Sequence, residues 1–297
     1  MIDSAGGWIA IALRLAAVTG TTLALGGWVF TRFVLPRIER TVDAQSHKPW
    51  QATATHAVVI GAFLVIASAL LRLALPVALP DGLDPGARAQ LQALWRTALL
   101  AQAGAATAAA LTWGTAVGWG RAPQLSRDAF VAALAVIAPA LAHAGASGEL
   151  RVIAVLVDVA HGLAAGAWVG ALALVTVAVT RARGQENGAA QAAALFAAFH
   201  PVALIAAPTV FVTGLATAWL RMGAPEGIAN STYSGLFVAK LLLAGVVGYF
   251  GATHSKLVTK RAVVTPEAVW RTLLGECAFA LIVLIVTAIL LGTPPID

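Results

Sequence analysis

The chain has 297 residues, of which 60% are hydrophobic and 11% are charged, and its formal net charge is +6. The mean hydropathy of +0.85 lies far above that of soluble domains, so the composition excludes a soluble globular protein. Cys277 is the only cysteine, which excludes a disulfide framework or a thiolate metal cluster within one chain.

Apolar stretches separated by short polar breaks run through the whole chain. A helix needs roughly 20 apolar residues to cross the hydrocarbon layer. Eight stretches meet this length, at about residues 8–35, 52–79, 91–117, 129–145, 152–180, 192–220, 234–258 and 269–291. We therefore predict an all-α integral membrane protein, a bundle of about eight transmembrane helices with no soluble domain between them. The first stretch is longer than a signal-peptide core and is expected to be retained.

We divide the predicted bundle into residues 1–128, with helices one to three and their loops, and residues 129–297, with helices four to eight. Basic residues concentrate in the loops after spans one, three, five and seven. They are Arg37, Arg40, Lys48, Arg121, Arg127, Arg181, Arg183, Lys256, Lys260 and Arg261. By the positive-inside rule these loops are cytoplasmic and both termini lie outside. The positive charge thus reflects membrane topology, and no nucleic-acid partner is expected.

Two histidines fall in the outer half of the predicted bundle. His143 ends span four, and His161 lies on span five, roughly 15 Å below the outer end of that span. Asp158 precedes His161 by one helical turn, so the two side chains share a face and can form a carboxylate–imidazole pair. Such a pair suits a metal ligand or a proton relay, whereas a histidine satisfied within the core is the structural alternative. Ionisable groups at membrane depth are costly, which favours a function for this pair.

A second layer of histidines lies toward the predicted inner ends of spans two, six and seven. It consists of His56, His200 and His254. His254 stands close to Lys256 near the membrane surface, where an interfacial position explains it as well as metal ligation does.

Three further residues at membrane depth are assigned structural or relay roles: Trp168, Lys240 and Glu276. An ion pair between Lys240 and Glu276, or between either of them and Asp158, would lower the cost of burying their charges. We interpret these charges as structural.

Span five carries a recognisable run of residues from Asp158 to Leu172, Asp-Val-Ala-His-Gly-Leu-Ala-Ala-Gly-Ala-Trp-Val-Gly-Ala-Leu. This run resembles the signature of the copper resistance protein D (CopD) family, in which His and Trp seven apart precede Gly-Gly-Leu. Further similarities follow in chain order, at Ala142-His143-Ala144, Phe199 through Thr213-Gly214, Tyr233-Ser-Gly235-Leu with Lys240, Glu276, and Thr287-Ala288 with Thr293-Pro294-Pro295. The resemblance covers roughly residues 130–297. Ala171 replaces a frequent glycine, and His254 replaces a frequent asparagine and adds a possible inner ligand.

The resemblance implies a multi-pass protein of the bacterial inner membrane that handles copper and moves it across the membrane. Ions would meet His143, Asp158 and His161 and then pass to the inner histidine layer, because imidazole suits copper in both oxidation states. A periplasmic copper-binding protein or a larger membrane complex is the expected partner, besides membrane lipid. The sulfur ligands expected along a Cu(I) path are missing, since Met222 is the only internal methionine.

Two alternatives remain open. Histidines at two depths also fit a membrane redox protein that binds haem b, and buried histidines fit a non-catalytic subunit of a larger complex. The chain has no phosphate-binding Gly-x-x-x-x-Gly-Lys-Ser/Thr loop and no Gly-x-Ser-x-Gly elbow. The sequence therefore predicts no enzyme, and transport that is passive or coupled to the membrane gradient.

Overall fold

The computed structural model describes residues 5–38, 44–75, 84–114, 124–142, 150–222, 231–259 and 266–293. Within these ranges the chain forms eight long helices and no strand. The helices are α1 (Ala5–Val29, continued by a π-helical turn Phe30–Val34 and by Leu35–Ile38), α2 (Ala44–Ala74), α3 (Pro85–Gly114), α4 (Gln124–Ala142), α5 (Arg151–Ala165, a π-helical turn Gly166–Gly170 and Ala171–Ala182), α6 (Gly188–Met222), α7 (Thr232–Thr259) and α8 (Pro266–Leu290). The prediction of an all-α membrane protein is confirmed.

Six of the described helices are long and apolar enough to cross a membrane, namely α1, α2, α5, α6, α7 and α8. Such segments form helices because the hydrocarbon layer offers no partner to a backbone N–H or C=O, and a helix satisfies both groups internally. The third and fourth predicted spans also form helices, α3 and α4, but they do not meet this length and hydropathy test over the described residues. α3 is rich in alanine, and the polar residue Gln102, which is buried, lowers the mean hydropathy of this helix.

α1 packs against both halves of the bundle through glycines. Gly20 of α1 lies against Gly61 of α2, where an added methyl group would overlap the carbonyl oxygen of the facing residue. Farther along α1, Gly26 lies directly on Gly170 in the π-helical turn of α5. Small residues let helix backbones approach this closely, and in lipid such contact replaces the hydrophobic driving force between helices. α1 is thus the central helix that joins α2 to α5.

Two hydrophobic clusters form the core. The larger one joins the second half of α1 to α2, α5, α6, α7 and α8, and includes Phe30, Leu172 and Leu273. The other joins α1, α2, α3 and α4, and includes Val58 and Leu134. The larger cluster takes residues from both sides of position 128. The division of the chain at residues 128 and 129 stays a prediction.

Arginines make polar contacts between helices at the end of the bundle where α1 ends and α2 begins, which we call the predicted inner end. Arg32 of α1 forms an ion pair with Asp128 of α4 at 2.6 Å, and the indole Nε1 of Trp28 donates to the same carboxylate at 2.9 Å. Arg181 of α5 donates to the hydroxyl of Thr53 on α2. These contacts show that the ends of α1, α2, α4 and α5 lie together. The orientation of this end toward the cytoplasm stays a prediction.

Candidate functional site

Asp158 and His161 lie on one face of α5, as their spacing predicts, and both side chains are half-buried. That face is turned toward α6. The hydroxyl of Thr217 donates a hydrogen bond to Oδ1 of Asp158 at 2.7 Å, and Nδ1 of His161 lies 3.0 Å from the hydroxyl oxygen of Thr213. Since Thr213 and Thr217 are one turn apart on α6, the two helices meet through two successive polar contacts. We call these four residues the α5–α6 polar site.

The hydroxyl of Thr213 contacts both its own helix and His161. It donates to the carbonyl oxygen of Thr209 at 2.5 Å, and its oxygen lies 3.0 Å from Nδ1 of His161. With its single proton directed at that carbonyl, the hydroxyl would accept a hydrogen bond from Nδ1. In that tautomer of the neutral ring the lone pair is on Nε2, the atom that can ligate a metal.

Gly214 determines how closely the imidazole approaches α6. A Cβ atom at position 214 would lie 3.2 Å from Cε1 of His161, tighter than an ordinary van der Waals contact. The missing side chain thus lets the ring come close to the α6 backbone at Gly214, next to the hydroxyl of Thr213. This contact gives a physical reason for the Thr-Gly pair on span six.

The described residues do not form a complete metal site. No group of three His, Cys, Asp or Glu side chains close enough to hold a metal ion occurs among them. Asp158 and His161 offer a carboxylate oxygen and an imidazole nitrogen, which are both known copper ligands. His143, the other predicted ligand of the outer layer, lies outside the described residues. The metal-binding role of these three residues stays a prediction.

The inner histidines lie far from the α5–α6 polar site. His200 is half-buried on α6, roughly 20 Å of helix from Thr213. His56 is exposed on α2, one turn from Thr53, and Thr53 contacts Arg181 at the far end of α5 from His161. Along the bundle axis, His56 therefore lies roughly 25 Å from His161. His254 lies on α7 near the same end, but its side chain is outside the described part of the chain. The two histidine layers are thus two distinct levels of the bundle.

Trp168 and Glu276 are both buried in the core. Trp168 is 3% exposed in the π-helical turn of α5 and belongs to the larger hydrophobic cluster. Glu276 is 1% exposed on α8, and its Oε1 would lie 3.4 Å from a Cβ atom at Gly251 of α7. Both residues occupy places where packing is tight.

Lys240 lies on α7 about 16 Å of helix from Gly251, and hence at a different depth from Glu276. At the other end of α7, Leu236 packs into a cluster with Ala218, one residue beyond Thr217 on α6. Lys240 is one turn from Leu236, so it lies within about one helical turn of the depth of Asp158. Of the two partners considered for Lys240, this depth favours Asp158 over Glu276, and the pair stays a prediction.

The threonines of the α5–α6 polar site were not predicted as site residues. Thr213 and Thr217 are spaced by four residues on span six, as Thr209 and Thr213 also are, which indicates a polar stripe along one helix face. Threonine in an apolar helix commonly bonds to its own backbone, as Thr209 does to the carbonyl oxygen of Ile205. Only the packing of α5 on α6 distinguishes the threonines that have a partner on the other helix.

The fold and the polar site together define a multi-pass helical membrane protein with an aspartate and a histidine one turn apart in one of its candidate spans. Residues 193–290 match the family model described as Copper resistance protein D. This match, over about a third of the chain, supports membership of the copper resistance protein D family and confirms the resemblance seen in the sequence. It covers Thr213, Thr217, Lys240 and Glu276, and it begins after the helix that carries Asp158 and His161. No curated protein and no solved structure matches the chain.

Proposed function

We propose that this protein binds copper at the α5–α6 polar site and moves it across the membrane. The observation that carries the proposal is that Asp158 and His161 lie one turn apart within a candidate membrane span, each hydrogen-bonded to a threonine hydroxyl of α6. An ionisable pair at this depth is expensive to keep unless it has a function. Imidazole and carboxylate are suitable ligands for copper, and the match to the copper resistance protein D family supports copper as the metal.

His143 is the third ligand in this proposal, because it directly follows Ala142, the last described residue of α4, in the sequence. Copper would then be transferred to the inner layer of His200, His56 and His254. The level difference of roughly 20 Å along α6 requires at least one intermediate step or a change in helix packing. The sequence holds no nucleotide-binding motif, so the movement is passive or coupled to the membrane gradient.

The test is a metal analysis combined with a visible absorption spectrum on detergent-purified protein. We expect about one equivalent of copper and no Soret band for the wild type. His161→Ala should lose most of the copper at unchanged expression, because it removes the imidazole ligand. His47→Ala is the matched control, since it removes a histidine that belongs to neither proposed layer and should keep the copper.

Unchanged copper content in His161→Ala would refute the proposed site. A Soret band without copper would assign the histidines to haem b instead. If the purified wild type contains neither, the protein is a structural subunit, and proteins that co-purify with it would identify the complex.

A further inference from the structure

A groove of 390 Å³ runs between α1, α5 and α6. Its volume falls in the range of about 300–1,000 Å³ that is typical of ligand pockets. Phe33 of α1 and Ile205 of α6 stand on its rims and are 45% and 74% exposed. Ala164 and Ala206 form its floor and are 7% and 5% exposed. Large side chains on the rims above alanines on the floor produce a narrow apolar slot that is open toward the lipid.

The backbones around the groove depart from regular helix at three places. The π-helical turn Phe30–Val34 of α1 contributes Phe33, and the π-helical turn Gly166–Gly170 of α5 contributes Ala167. Pro201 inside α6 also lines the groove and removes one backbone hydrogen bond of that helix. π-helical turns occur frequently at functional sites. The shape of the groove is therefore built into the backbone of all three helices.

The length of the groove matches one leaflet of a membrane. Along α1 its lining extends from Trp28 to Arg37, which is roughly 13 Å of helix. Half of a hydrocarbon layer about 30 Å thick is close to this length. The other end of the groove, at Ala160 and Thr209, reaches the middle of the bundle beside the α5–α6 polar site. An alkyl chain that enters at Arg37 could thus extend to the midplane.

The groove has one charged lining residue, Arg37, and it lies at the predicted inner end. Arg37 is exposed, and its guanidinium donates to the carbonyl oxygen of Phe33, which holds it against α1 beside the groove. A guanidinium retains further N–H donors after one such bond, and phosphate groups fit its geometry. Basic pockets between transmembrane helices on the cytoplasmic side are known to bind anionic headgroups.

We propose that this groove binds one phospholipid with an anionic headgroup. The acyl chain lies in the slot over Ala164 and Ala206, and the phosphate lies beside Arg37. This proposal does not depend on copper binding, because neither Asp158 nor His161 lines the groove.

The test is a lipid competition on delipidated, detergent-purified protein, with bound lipid counted by native mass spectrometry. Phosphatidylglycerol and phosphatidylcholine of the same chain length are added in equal amounts. The wild type should retain one molecule of phosphatidylglycerol in preference to phosphatidylcholine. Arg37→Gln should lower this preference about fivefold, the factor that corresponds to the interaction of one arginine with an anionic lipid surface.

Two further variants separate the headgroup from the chain. Arg271→Gln removes an equally exposed arginine at the start of α8, away from the groove, and should leave the preference unchanged. Ala160→Leu places a larger side chain in the groove and should lower the retention of both lipids. Equal retention of the two lipids by the wild type would overturn the proposal. Equal effects of Arg37→Gln and Arg271→Gln on the preference would also overturn the proposal. A dimer of this chain that carries no lipid would overturn it as well.

Discussion

At the scale of single residues, the α5–α6 polar site depends on hydroxyl groups as much as on ionisable ones. The hydroxyl of Thr213 is hydrogen-bonded to Nδ1 of His161, and that of Thr217 donates to Asp158. Both threonines lie within the segment that matches the copper resistance protein D family, whereas their partners lie outside it. The site therefore combines a helix within the family match with one that precedes it.

Thr213→Val is expected to weaken copper binding by about 10–100-fold, the usual effect of losing a group that orients a metal-ligating histidine. Valine keeps the shape of threonine but cannot accept the Nδ1 proton, so the ring loses its fixed tautomer. Thr213→Ser restores the hydroxyl and should restore most of the affinity. A copper titration of the three proteins at several pH values measures the effect. Equal affinities for the valine and serine variants would contradict this role.

The positions of Asp158 and His161 could be predicted from the sequence, because a spacing of three residues on a helix has one geometric meaning. The partners of these residues could not, since the rotation of α6 against α5 depends on packing, including the absence of a side chain at Gly214. The same limit applies to Lys240. Its distance along α7 from Gly251, which lies beside Glu276, favours Asp158 over Glu276 as the partner of Lys240. This choice depends on the relative heights of three helices, which the sequence does not give.

At the scale of helices, the bundle depends on the close contact between α1 and α2. Gly61→Ala should lower the free energy of unfolding by about 1–3 kcal/mol, because the new methyl group would overlap the carbonyl oxygen of Gly20 and force the helices apart. Gly104→Ala is the matched control, since no atom lies within 4 Å of its added methyl group. Thermal unfolding of both variants in one detergent measures the difference. An equal melting temperature for the two would show that α1 and α2 do not pack this closely.

The existence of the helices could be predicted from the lengths of the apolar stretches, and all eight predicted spans fall on helices. The two π-helical turns could not be predicted. Phe30–Val34 and Gly166–Gly170 have no proline that would indicate a departure from regular helix, and Gly166 and Gly170 lie directly against Leu25 and Gly26 of α1.

At the scale of the whole molecule, the distribution of basic residues predicts that the end with Arg181 faces the cytoplasm. Single cysteines introduced into a Cys277→Ala background test this orientation. Gly184→Cys lies in the turn after α5 and should react with a membrane-impermeant maleimide only after spheroplasts are opened. Arg88→Cys, exposed at the start of α3, should react in intact spheroplasts. The reverse pattern of labelling would show that the topology is opposite to the predicted one, with the α5–α6 polar site nearer the cytoplasmic surface.

The central claim is that Asp158 and His161 bind copper within the bundle. The most direct measurement is the copper K-edge X-ray absorption spectrum of copper-loaded, purified protein, recorded per mole of protein for the wild type, His161→Ala and His47→Ala. We predict imidazole scattering from bound copper in the wild type and in His47→Ala, and a loss of both copper and imidazole scattering in His161→Ala. A spectrum of His161→Ala that equals that of the wild type in intensity and in imidazole scattering would contradict the claim.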